Sequence, residues 1–250
     1  MTTSAPAGAP GAAILNRSFR SLPSRLLGVI SSPRATLTAV AAAPRSAGVL
    51  ALTFAVTALC SAALLQTDVG RLALLDQWER TASAFGQTVD DQQYAALEEG
   101  SRNGVAYAAI TSLASGPVLA IALAGVLFAA FTARFGRAAS FTQVLAVVAH
   151  AGVILALRQV IAAPVNYARE TLASPMTMTF FLSMLDEASP LARLFGIIDL
   201  FVLWWLAVLA IGMSVLYQRR TRPLLMVFVG AYVVLALLLV IAMAMTGGTV

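Results

Sequence analysis

Five stretches of this chain are almost free of charge, and each is about as long as a lipid bilayer is thick. They run over about 47–66, 107–133, 144–163, 195–217 and 223–245. A helix rises 1.5 Å per residue, so about 20 apolar residues cross about 30 Å of hydrocarbon. The chain has 250 residues, 60% hydrophobic and 11% charged, where soluble domains carry about 25% charged residues. A water-soluble core of this size cannot enclose that much apolar surface, whereas lipid can solvate it. The predicted fold is all-α: a polytopic membrane bundle of about five transmembrane helices, with an amphipathic N-terminal segment and an external helical hairpin.

The charges orient the bundle. All 16 basic residues are arginine, and ten of them lie in three acid-free regions. These are Arg17, Arg20, Arg25, Arg34 and Arg45 before the first span, Arg134 and Arg137 after the second, and Arg219, Arg220 and Arg222 between the fourth and fifth. The remaining regions hold all 11 acids. Cytoplasmic loops carry the positive excess, so the N-terminus is expected in the cytoplasm and the C-terminus outside. Scattered arginines of this kind fit membrane topology, and no nucleic-acid partner is expected. No secretory signal is recognised at the start of the chain.

Three segments outside the spans carry a pattern of their own. Residues 1–11 are Ala/Gly/Pro-rich and expected to be disordered. Residues 12–46 read as cytoplasmic amphipathic helices at the interface: Leu15, Phe19, Leu22, Leu26 and Ile30 form a helical stripe, Pro23 divides it, and a further helix runs from Pro33 to about Ala43. The loop 67–104 reads as a hairpin of two helices, with Leu75, Trp78 and Phe85 on one face, Thr88 as a cap and Gly100 as a stop. The apolar run 175–185 is too short to cross and is expected to be re-entrant or interfacial, opening with Ser174 as a cap before Pro175. The remaining domain, 47–246, is the membrane bundle.

Ionisable residues within apolar spans are the candidate functional groups, because hydrocarbon makes them costly. They form a possible intramembrane polar cluster of His150, Arg158, Gln159 and Asp199. Arg158 and Asp199 fall at similar depth on antiparallel spans; they make either a polar pocket or a structural ion pair. His150 serves either as a proton relay or as a neutral interhelical hydrogen-bonding group. Gln143 and Gln159 are further candidates for interhelical bonds. Small residues at every fourth position, such as Gly116, Ala120 and Ala124, suit close helix packing, and Gly116-Pro117 marks a kink or a junction. One histidine and one cysteine, Cys60, leave few routes to nucleophilic chemistry. No catalytic residue, cofactor or metal is expected.

Two stretches carry a family resemblance: Ser-Ser-Pro-Arg-Ala-Thr-Leu-Thr-Ala-Val-Ala-Ala-Ala-Pro (31–44) before the first span, and Phe-Thr-Gln-Val-Leu-Ala-Val-Val-Ala-His (141–150) opening the third. Together with the order and spacing of the spans, from about Leu26 to Met245, the chain resembles the bacterial branch of the Yip (Ypt-interacting protein) family. That resemblance implies a five-span inner-membrane protein with a cytoplasmic N-terminus. Eukaryotic relatives bind small GTPases in vesicle traffic; bacterial members have no established activity, and some occur beside efflux and ABC-transporter components. The resulting expectation is a non-enzymatic scaffold or accessory subunit with membrane-protein partners such as transporter components. The alternative is a small transporter or channel for a solute or lipid, using a pocket between spans three and four.

Overall fold

The structure is a computed structural model that describes residues 21–136, 138–177 and 195–246. The described residues are helical, apart from one isolated β-bridge between Thr177 and Asp199. Four helical segments are long and apolar enough to cross a membrane: Ala47–Leu65, Gly104–Phe135, Phe141–Ala168 and Thr221–Met245.

The chain enters through α1 (Leu22–Ser31) and α2 (Pro33–Ala42). Ser21 caps α1, and Pro23 lies in its first turn, where a missing N–H costs nothing. Pro23 thus stands at the start of α1; Leu15 and Phe19 lie outside the described residues. Pro33 cannot continue α1 and opens α2. The face of α1 packed on the bundle is centred on fully buried Val29, while Leu22 and Ile30 of the apolar stripe are exposed. On α2, Thr36, Leu37 and Val40 are fully buried against the bundle.

Helix α3 (Ala47–Leu65) leads to a corner at Gln66-Thr67 and then to α4 (Asp68–Ala84) and α5 (Asp91–Ser101), which pack together as a hairpin. Thr67 caps α4 by accepting from Gly70 N–H. Asp90, not Thr88, caps α5, in a reciprocal box with Gln93. Gly100 is not the stop; α5 continues to Ser101, and a Cβ at Gly100 would sit 3.5 Å from Trp78 Cζ3.

The next segment, expected at 107–133, is longer and is not uniform. It comprises α6 (Gly104–Ala109), a π-helical turn (Ile110–Ser115) and α7 (Gly116–Phe135). Pro117 offers no N–H to the preceding turn, and the ladder loosens there, with Gly116 N–H reaching back to Thr111. The segment expected at 144–163 spans 141–168, broken by Gly152 into α8 (Phe141–Ala151) and α9 (Val153–Ala168). Ser140 and Gln143 form a capping box at its start, and Gln143 Nε2 also donates to Ala41 O of α2 at 2.9 Å.

The last two helices are α10 (Leu200–Leu216) and α11 (Thr221–Thr246). The span expected at 195–217 begins five residues later, because Asp199 is the N-cap of α10 and lies outside its hydrogen-bonded ladder. At 17 residues α10 is about 25 Å long. Of the 175–185 run, 178–185 lies outside the described residues.

The 141–168 segment is the centre of the bundle, with 56% of its most apolar window buried, against 11% for 104–135. Helix α8 packs on α2, α7 and α10, and α9 packs on α3. The contact between α8 and α10 depends on Gly212, where a Cβ would sit 2.3 Å from Val147 Cγ1. Gly125 on α7 has no such neighbour. Gly212→Ala is therefore expected to destabilise the detergent-solubilised protein by about 1–3 kcal/mol through overpacking. Gly125→Ala is expected to be neutral or to stabilise by up to about 1 kcal/mol. Thermal unfolding of the two variants checks the contrast.

Candidate functional site

Asp199 is the most heavily bonded polar side chain between the helices. Its position before Leu200 places it at the positive end of the α10 dipole, where a carboxylate is favoured. Oδ1 accepts from the backbone N–H of Phe201 at 2.8 Å and of Val202 at 3.4 Å. Oδ2 accepts from Arg158 Nε of α9 at 2.8 Å and from the Ser174 hydroxyl at 2.5 Å. The carboxylate side chain is 5% exposed and the arginine 32%.

The surrounding backbone is bonded as fully. Tyr232 of α11 donates its hydroxyl to Ile197 O at 2.5 Å and accepts from Asp199 N–H at 3.3 Å. Leu200 N–H donates to Met176 O at 3.1 Å. One cluster thus joins α9, the 174–177 segment, the start of α10 and the middle of α11. A charge removed from water is tolerated only when its lone pairs are occupied, and those of Asp199 are.

The other two candidates sit apart. Gln159 Nε2 donates to Ser61 Oγ of α3 at 3.0 Å, a hydrogen bond between adjacent helices. His150 is fully buried in α8, with Nδ1 2.7 Å from Ala146 O one turn earlier. Its Nε2 has no hydrogen-bond partner among the described residues. The structure therefore joins Arg158 to Asp199, ties Gln159 to a different helix and isolates His150 in the core.

A cavity of about 190 Å³ lies beside the ion pair. Arg158, Gln159, Asn166, Ser61 and Ser174 contribute polar groups to its wall, as does Gln77 of the hairpin. Asn166 is 7% exposed, and its Oδ1 has no partner. At about 30 Å³ per water, the space holds a few waters. Neither His150 nor Asp199 lines it. No group of three or more metal-ligating side chains occurs among the described residues.

The sequence offered only weak signals for Ser174, Asn166 and Tyr232. Ser174 precedes a proline and reads as an ordinary helix cap. Asn166 and Tyr232 are single polar groups in apolar runs, and their partners come from segments distant in the chain.

Comparison with protein-family models matches the chain to the Yip1 domain over residues 27–244. No curated protein and no solved structure matches it.

Asp199→Ala removes a helix cap and leaves Arg158 without its counter-charge. The expected loss is about 2–3 kcal/mol, below the ~3–5 kcal/mol of a fully buried broken pair because Arg158 is one-third exposed. Asp199→Asn retains a capping oxygen and is expected to lose less. Adding Arg158→Met to Asp199→Ala is expected to restore part of the loss, which a double-mutant cycle by thermal unfolding in detergent measures.

Proposed function

The chain belongs to the Yip1 domain family, and from that premise we propose that it acts as a non-enzymatic scaffold or accessory subunit of a membrane transport or trafficking complex. It is an integral membrane protein of multiple apolar helices. One observation supports the scaffold reading above the rest: the ion pair of the bundle fastens two helices, and His150 and Asp199 do not line the cavity beside it. Arg158 is bonded to Asp199, and Asp199 is spent on capping α10.

The recruiting surfaces in this reading lie at the two ends of the bundle. The inner end is capped by α1 and α2, and the outer end by the α4–α5 hairpin, whose helices expose charged faces. Helix α10 is the fifth crossing, with bonded backbone at its start and end accommodating its shorter length. By the arginine asymmetry the N-terminus and the 217–220 turn face the cytoplasm of a bacterial cell, and the hairpin faces outward.

A second reading, passage of a small polar solute, draws on the cavity at Arg158 and Asn166. Flux into proteoliposomes that Asp199→Asn abolishes, with the fold intact, would reverse the order of the two readings.

Two measurements test the proposal. In a Cys60→Ala background, cysteine placed at exposed Gln87 is expected to react with an impermeant maleimide from outside, and cysteine at exposed Gln218 only after permeabilisation. In-cell crosslinking at native abundance is expected to capture a membrane-protein partner through 21–46 or the hairpin. A chain that remains solitary under those conditions counts against the scaffold role.

A further inference from the structure

The inner end of the bundle carries a second polar site, independent of the scaffold reading. Arg34 from the first turn of α2, Arg219 and Arg220 from the 217–220 turn, and Arg222 from the first turn of α11 line one open cleft of about 740 Å³, together with Thr38 and Thr221. These residues come from segments of the chain, 12–67 and 200–250, that contain no Asp or Glu. Four guanidinium groups therefore share a concavity with no carboxylate from the helices that build it. Like charges gathered in this way repel, and a bound anion relieves the repulsion.

The cleft is built, not a chance gathering of mobile side chains. Arg219 N–H donates back to Ser214 O at 3.0 Å, closing α10 with the last bond of a Schellman-type turn. Gln218 occupies the left-handed position of that turn, with φ of 52°. Arg219 lies 4.7 Å over the Phe135 ring, which packs in turn against Tyr217. Ser214 and Thr221 hydroxyls are 2.9 Å apart across the turn, and Arg34 Nη1 donates to Thr221 Oγ1 at 3.4 Å. Helix α11 begins at Thr221, so its positive end opens into the same space.

We propose that this four-arginine cleft binds a phosphate-bearing anion, as an anionic phospholipid headgroup or as a free phosphate ester. Planar guanidinium forks match the paired oxygens of phosphate, and compact dianions gain most from several forks at once. Its position at the inner mouth of an apolar bundle puts the cleft at the level of lipid headgroups, where basic pockets between helices select acidic lipids.

The test uses the purified, delipidated full-length protein in a neutral detergent. It is titrated with dioctanoyl phosphatidic acid, with dioctanoyl phosphatidylcholine and with inorganic phosphate. Saturable binding of phosphatidic acid without binding of phosphatidylcholine is expected. Arg220→Gln/Arg222→Gln is expected to weaken it by about tenfold or more. Arg45→Gln/Arg134→Gln removes the same charge from the same end but outside the cleft, and is expected to change it little. Arg34→Gln, from the opposite wall, gives a second weakening variant should the first pair unfold. Phosphatidic acid binding alone assigns the headgroup as the source; inorganic phosphate binding with the same arginine dependence assigns the phosphate itself. Equal weakening by both arginine pairs, equal binding of the two lipids, or no binding of either phosphate source overturns the proposal.

Discussion

Hydrocarbon offers no hydrogen bond to an unpaired amide, and this constraint governs every irregular point of the bundle. Where a helix inside the apolar zone is broken or begins, a bonded group takes the place of water. At the π-turn, Gly116 N–H reaches one residue further back than in an α-helix, to Thr111. At the Gly152 break, Leu155 and Ala156 N–H groups both donate to the Gly152 carbonyl. At the start of α10, the Asp199 side chain accepts two backbone N–H groups and the Tyr232 hydroxyl serves two more backbone groups nearby. The π-turn lies just before Pro117, which has no N–H to give, and the α8–α9 break lies at Gly152.

The same constraint explains why the buried ion pair is a fastening. Arg158 neutralises a carboxylate whose other oxygen is fully engaged in capping, so neither partner can leave without exposing a charge to lipid or opening a helix end. Ser174 and Met176 bring a third strand of chain to the same point. The polar groups of this region consequently define how four segments meet. The hairpin contributes Leu74 and Gln77 to the wall of the small cavity beside them.

The two ends of the bundle differ in charge and in construction. One end carries the cleft of Arg34, Arg219, Arg220 and Arg222, beside a cluster of Phe131, Phe135 and Tyr217 on which Arg219 rests. The other carries the hairpin, where arginines pair locally with acids, as Arg80 does with Asp76 and Arg102 with Glu98. Pairs of that kind, exposed and one turn apart, add little stability. The basic end differs because the helices that build it carry no acid.

Much of this was legible in the amino-acid order alone. Uninterrupted apolar length and the arginine asymmetry require a helical membrane protein, since both properties act over whole segments and survive errors of a few residues. Helix caps were only partly legible: Thr88 was expected to open the second hairpin helix, where Asp90 two residues later does so, because several cap-competent side chains lie within one turn of the start. What spacing could not reveal was pairing between distant positions. Asp199 was placed inside its span because hydropathy marks the start of an apolar run, not the start of a hydrogen-bonded ladder. The bond from Tyr232 to Ile197, the seat of Gly212 on Val147 and the convergence of Arg34 with Arg220 and Arg222 each join residues far apart in the chain. Local sequence decided which segments are helices and which of them are apolar; only packing in three dimensions decided which faces meet, because contact depends on helix rotation and register that no single segment encodes.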